Sequence, residues 1–140
     1  MRHMAMNELR QRASDGDIAA CMQLTKRLIR GRGEERNFEE AVEWFDTAAR
    51  AGDTDALYWL GKCYLKGLGC RRDPAGGVSC LETAAGRGHA AAAFKLGDCF
   101  EQGCGAPRNA ELAAYWYRKA AACGETRAYD SLLRLARRRR

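Results

Sequence analysis

The stretch Gly52-Asp-Thr-Asp-Ala56-Leu-Tyr-Trp-Leu60-Gly61-Lys-Cys-Tyr64-Leu-Lys-Gly67-Leu-Gly69 decides how the chain is read, because it recurs. Gly88, Ala92, Leu96, Gly97, Gly103 and Gly105 stand in the same order 36 residues later. Gly16, Ala20, Leu24, Gly31 and Gly33 hold those places one period earlier, and Gly124, Ala128 and Leu132 one period later. A period between about 20 and 50 residues marks a stacked array, in which each unit buries its apolar face only against its neighbours. Such a chain offers an extended surface, which shifts the functional odds toward partner binding.

Inside each unit the apolar spacing is helical: Ala56, Leu57, Leu60 and Tyr64 share one face at i, i+1, i+4 and i+8. Gly67-Leu68-Gly69 breaks that helix, glycine being suited to the left-handed conformation that closes a C-terminus. Asp73 as N-cap and Pro74 at the first helical position restart the chain, and Asn37 and Asn109 stand at the same cap position. A second helix follows, with Ala41, Trp44, Phe45, Ala48 and Ala49 in the first unit and Ala113, Trp116, Tyr117, Ala120 and Ala121 in the third. Gly61 and Gly97, with the paired alanines, fall where the two helices of a unit must approach closely.

The expected fold is all-α, an α-α superhelix: a right-handed solenoid of 36-residue helix-turn-helix repeats with about eight helices. One domain is expected over residues 4–138, with a half-repeat helix at 4–15, and repeats at 16–51, 52–87 and 88–123. A capping helix follows at 124–138 and a basic tail end at 139–140. The half-units are assigned from Ala5, Leu9 and Ala13 at one end and Ala128, Leu132 and Ala136 at the other. Breaks are expected near residues 15–16, 31–36, 51–52, 67–73, 87–88, 103–108 and 123–124.

The 140 residues are 46% hydrophobic with two prolines, and the length suits one domain with a sizeable buried fraction. The net charge of +6 resembles a nucleic-acid signal until it is located: Arg134 and Arg137 to Arg140 supply five of those charges, leaving +1 elsewhere. No run approaches the ~18 apolar residues of a membrane-spanning helix. The polar start lacks the apolar run of a secretory signal, and Met1 to His3 carry no structural weight. Seven cysteines, an odd number without an export signal, lead to an expectation of reduced thiols in the cytoplasm.

The pattern Ala56-x3-Leu60-Gly61-x2-Tyr64-x2-Gly67-x-Gly69-x3-Asp73, followed by Ala84, Ala85 and Gly88, resembles the Sel-1-like repeat, a relative of the tetratricopeptide repeat. Ala92, Leu96, Gly97, Gly103, Gly105, Trp116, Ala120, Ala121 and Gly124 repeat the match in the third unit. The 36-residue period with a Gly-x-Gly loop favours this family over tetratricopeptide arrays, whose period is about 34. Thr25 stands where the later units have glycine, and Cys80 replaces the tryptophan of Trp44 and Trp116. The resemblance also implies a comparison with a cysteine-rich branch that staples each helix pair by disulfides near the Ala49, Ala85 and Ala121 and the Cys21, Leu57 and Ala93 positions. Only Cys21 matches that framework, so it is not expected here. Some members of the branch are described as β-lactamase-like, but Ser14, Ser79 and Ser131 lack lysine at the Ser-x-x-Lys spacing.

Other chemistry is thinly supported. Cys63 with Cys99 and Cys70 with Cys104 are equivalent in the repeat, yet C-x6-C and C-x4-C are not the short pairs that zinc sites favour. Small core residues are the expected role of the cysteines, with Cys63–Cys70 or Cys99–Cys104 redox pairs as the alternative. His89 has no serine or cysteine nucleophile near it in sequence, and Gly-x-Gly follows a helix rather than a strand, against a dinucleotide site. No catalytic residue, metal or cofactor is expected.

The first helix of each pair is expected to line a concave face. Its inward residues are Met22, Lys26, Ile29 and Arg30, then Asp55, Tyr58, Lys62, Leu65 and Lys66, then Phe94, Asp98, Glu101 and Gln102. Met22, Tyr58 and Phe94 lie one period apart and form an apolar stripe flanked by Lys26, Arg30, Lys62 and Lys66. The expected partner is a protein or peptide, acidic and partly apolar, with no small-molecule substrate and no membrane. The alternative is a nucleic acid or acidic partner held by the basic tail of Arg134, Arg137, Arg138, Arg139 and Arg140. No aromatic residue lies between those arginines for base stacking.

Overall fold

The computed structural model describes residues 5–31 and 37–138. Gly33, Met1 to His3, Arg139 and Arg140 lie outside the described residues, as does most of the break expected at 31–36. The elements are α1 (Met6–Ser14), α2 (Ile18–Arg30), α3 (Phe38–Arg50), α4 (Thr54–Lys66), α5 (Pro74–Gly86), α6 (Ala90–Gln102), α7 (Ala110–Ala122) and α8 (Arg127–Arg138). No strand occurs among the described residues, and each helix packs on its neighbours in sequence, as an α-α solenoid requires.

Capping residues explain where the helices begin. Asn37, Asp73 and Asn109 accept the backbone N–H of the third residue onward at 3.0–3.1 Å, starting α3, α5 and α7. The same position before α2 and α4 carries Asp17 and Asp53. Before α6 it carries His89, whose Nδ1 accepts from Ala92 N–H at 3.1 Å. Each inter-helix loop is tied by one repeated bond: the N–H of Asn37, Asp73 and Asn109 donates to the carbonyl of Leu28, Tyr64 and Phe100 at 2.8–2.9 Å.

Gly67 and Gly103 end α4 and α6 in the left-handed region, at φ 71° and 73°. Gly31 departs from that pattern with φ −58°, a conformation open to any residue. The second loop glycine has a different task. A Cβ on Gly69 would land on the Phe38 carbonyl, and one on Gly105 on the Pro74 carbonyl and 2.7 Å from Val78. Each loop therefore lies backbone-on-backbone against the start of the second helix of the preceding unit. Gly61 and Gly97 serve the other direction: a Cβ would meet Gly77 O at 3.1 Å and the Tyr117 ring at 2.6 Å.

Two buried clusters meet within α4. Leu9, Ala13, Leu24, Leu28, Phe45 and Leu60 belong to the first, and Leu81, Leu96, Phe100, Tyr117 and Leu135 to the second. The expected row Leu24, Leu60 and Leu96 is buried. In α8 the buried residues are Ala128, Ser131 and Leu135, while Leu132 is half-buried and Ala136 exposed. The final helix thus buries less of the repeat's apolar row, because it has a neighbour on one side only.

Gly105→Ala is expected to destabilise the fold at least twice as much as Gly52→Ala. Both residues have positive φ, 78° and 99°, but nothing lies within 4 Å of a Cβ at Gly52. A left-handed alanine costs about 1–2 kcal/mol, and the collision at Gly105 adds about 1–3 kcal/mol. Chemical denaturation of the two variants measures the difference, and equal losses would mean that the loop contact contributes nothing.

Candidate partner-binding face

The odd positions of the pair, helices α2, α4, α6 and α8, carry three adjoining hollows, one between each successive two. The first, about 90 Å³, is walled by Met22, Thr25, Ile29, Phe45 and Trp59, with Lys26 and Arg30 at its edge. Phe45 comes from α3 and stacks on Trp59 with ring centres 6.3 Å apart. Thr25, where later units have glycine, is buried and donates its hydroxyl to Met22 O at 2.8 Å, so its polarity is absorbed by its own helix.

The second hollow, about 140 Å³, joins α4, α6 and the start of α8. Tyr58 and Phe94 form its apolar part, with Lys62, Lys66, Lys95 and Arg127 around them. Tyr58 stacks on the His89 ring at 4.7 Å, and the Lys62 amine sits over both Trp59 and Tyr58, 4.6 and 5.2 Å from their centres. Arg127 covers Phe94 at 4.5 Å while pairing with Glu125 at 2.8 Å. Burial holds the Lys62 ammonium below its ordinary pKa, and the charges of Lys95 and Arg127 act in the same direction. Burial likewise raises the Tyr58 phenol.

The third hollow, between α6 and α8, is built round one buried carboxylate, with Arg108 also on its lining. Glu101 has 7% of its surface exposed and receives Arg134 Nε at 3.0 Å and Arg138 Nη1 at 3.2 Å. The Tyr117 hydroxyl lies 2.7 Å from Glu101 and 2.6 Å from Asp98. Hydrogen bonding from Arg134 holds the Glu101 carboxyl below the usual carboxylate range against the opposing effect of burial. Burial, then the bonds to Asp98 and Glu101, push the Tyr117 phenol well above its ordinary value.

Most of the expected surface residues do fall on this face. Met22, Ile29, Tyr58, Lys62, Phe94 and Asp98 are half-buried, and Lys26, Arg30, Lys66 and Gln102 are exposed. Asp55 is exposed and accepts from His89 Nε2 at 2.8 Å. Two placements need correction. Leu65 is buried, because Gly77 leaves room for its side chain between α4 and α5. Glu101, at the equivalent repeat position, is buried as well and satisfied by arginines. The arginine run is also not a free tail: Arg134 and Arg138 are engaged on α6, and Arg137 is exposed.

Sequence reasoning missed Trp59, Lys95, Arg127 and the role of Phe45. The repeat register held the signal for two of them, since Lys95 follows Trp59 by one period and Arg127 follows Ala91. Cys21, Cys63 and Cys99 are buried, Cys70, Cys80 and Cys104 half-buried, and Cys123 exposed. Among the described residues no three His, Cys, Asp or Glu side chains gather as a metal site would require. No described helix is long and apolar enough to cross a membrane.

The architecture defines an α-helical repeat solenoid built from 36-residue units. The Sel1 repeat pattern matches residues 18–53, 54–89 and 90–125, and the chain belongs to the Sel1 repeat family. These boundaries begin two residues after those expected from the glycines, starting the units at the helices themselves. A Sel1 repeat protein from Oxalobacter formigenes is similar at 34% identity and TM-score 0.80, over 87% of this chain and 93% of that one. A protective antigen of uropathogenic Escherichia coli with the same fold is 31% identical, TM-score 0.84, over 91% of this chain. The chain spans 27% of that protein's length. Helicobacter pylori cysteine-rich protein B shares the fold at 19% identity and TM-score 0.72, over 92% and 98% of the two chains. No curated protein matches the sequence.

Two solution measurements follow from these environments. Glu101→Gln should cost about 2–3 kcal/mol, below the ~3–5 kcal/mol of a fully buried broken pair because Arg134 is 45% exposed. A depressed carboxyl contributes its stability above the ordinary carboxylate pKa and loses it as pH falls through the folded value. Melting temperature should therefore decline from pH 5 toward pH 3 less steeply in the variant than in the wild type. Separately, burial pushes the Cys63 and Cys99 thiols up to about 11 and raises that of fully buried Cys21, so these three should react last with a thiol reagent at pH 8, and exposed Cys123 first. Fast modification of Cys63 would contradict the packing of α4.

Proposed function

We propose that the chain is a non-catalytic interaction scaffold that binds a protein segment along the face of α2, α4, α6 and α8. The observation that carries this reading is the row Met22, Tyr58 and Phe94, half-buried and lining successive hollows rather than being sealed in the core. Large apolar side chains with room beside them supply most of the contact energy in protein recognition. Sel1 repeats are commonly interaction scaffolds, which agrees with that surface. Lys26, Arg30, Lys66 and Lys95 stand along the row with no carboxylate within 4 Å among the described residues, which favours an acidic partner. A reducing compartment, the cytoplasm, fits a chain whose seven thiols include three in the core.

The test is affinity capture with mass spectrometry, comparing wild type, Tyr58→Ala/Phe94→Ala, and a variant combining Arg137→Gln with removal of residues 139–140. This last variant spares Arg134 and Arg138, which hold Glu101. A true partner should lose about 1–3 kcal/mol of binding with either aromatic truncated, and little with the arginines removed. Melting curves confirm that the aromatic variant is folded. If partners survive the aromatic double mutant and are lost with the arginines, the tail is the binding element and the proposal fails.

A further inference from the structure

The first two hollows differ in chemistry, and the third is organised around the protein's own Glu101. Between α2 and α4 the walls are Met22, Ile29, Phe45 and Trp59, a small recess suited to an aliphatic side chain. At the junction of α4, α6 and α8, Lys62, Lys66 and Lys95 converge on one cavity. Among the described residues Asp98 is the one acidic side chain lining it, and its carboxylate lies 2.6 Å from the Tyr117 hydroxyl. Arg127 also lines it, and its charge is shared with Glu125. That cavity therefore holds a surplus of ammonium groups against aromatic walls, where an anion is stabilised more strongly than on open surface. Farther along, the single carboxylate of Glu101 is shared by Arg134 and Arg138, and Arg108 lines the same hollow, so that end stays basic but has its anion site filled by the protein's own side chain.

Resting on the scaffold reading above, we infer that the partner presents an extended segment with one large aliphatic side chain and, about three residues away, a carboxylate. The aliphatic group sits between α2 and α4, and the carboxylate between Lys62, Lys66 and Lys95. The spacing follows from geometry: the two hollows flank α4, walled by its adjacent residues Trp59 and Tyr58, so they lie about one helix diameter, roughly 10 Å, apart. An extended chain advances about 3.3 Å per residue, so adjacent hollows are reached by side chains roughly three positions apart. Lys62 joins the two subsites, since its amine lies over Trp59 of the first and Tyr58 of the second. A segment of protein suits this layout better than nucleic acid, because one of the two subsites is an apolar recess that a phosphate backbone leaves unfilled.

The experiment uses the full chain and fluorescein-labelled peptides in a glycine-serine background, each with one leucine and one pair of glutamates. The separation runs from zero to eight residues in both orders. Binding measured by anisotropy should peak at two to four intervening residues and fall at least tenfold when glutamates become glutamines or leucine becomes alanine. These peptide changes leave the protein's own fold untouched. Lys95→Glu should abolish the preference for glutamate, whereas Arg118→Glu on α7 should leave it unchanged. No binding at 1 mM, no dependence on separation, or tighter binding of a twelve-nucleotide oligothymidine would each overturn the inference. Capture of partners that depends on Tyr58 and Phe94 would still stand in those cases, so the scaffold reading and the subsite assignment fail separately.

Discussion

Backbone lying on backbone governs this molecule. Where the loop of one unit crosses the start of the second helix of the unit before it, Gly69 meets Phe38 and Gly105 meets Pro74 with no space for a side chain. Stacking of helices through side chains alone tolerates sliding by a fraction of a turn, because one methylene can replace another. Contact between two main chains does not, since a carbonyl oxygen has a fixed position. This fixes how far each unit advances on the last, and so fixes which residues of α2, α4 and α6 stand side by side. The three hollows are a result of that registration: they form at the same height on successive helices.

The lining of the hollows then depends on which residue occupies each repeated position. Ile29, Leu65 and Glu101 are equivalent, yet their fates differ. Ile29 borders the apolar recess, Leu65 fills the gap that Gly77 leaves, and Glu101 turns its corner of the core polar. The change at Glu101 is accompanied by two others, Tyr117 where earlier units have Phe45 and Leu81, and Arg134 where they have Lys26, Lys62 and Asp98. Together the three make a satisfied network, whereas any one alone would leave a buried polar group without a partner. Polar identity at one end of the array is thus a cooperative substitution, not a drift of single residues.

This pattern also explains what was legible beforehand. Period, caps and glycine loops act locally or through backbone, so the helices and breaks could be read directly: Asn37, Asp73 and Asn109 each start a helix where their type predicts. The face was legible to the extent that position in the repeat determines exposure, which holds for Tyr58 and Phe94. It fails for Leu65 and Glu101, whose burial depends on Gly77 and Arg134, residues 12 and 33 positions away. Arg127 and Lys95 carry no signal of this kind within their own helices. Their place beside Tyr58 and Phe94 arises from stacking, which a single helix does not encode.

His89 illustrates how a small departure from the repeat adds a property that its neighbours lack. Its Nδ1 accepts the Ala92 N–H, so that nitrogen has a free lone pair and the ring proton sits on Nε2, directed at Asp55. One neutral imidazole thus caps α6 and tethers it to α4, while its flat side supports Tyr58. Asp17 and Asp53 cap their helices with a carboxylate and keep accepting whichever way a nearby proton moves. The joint between the second and third units is consequently written in a tautomer, a chemical state of one ring that sets whether its helix is capped.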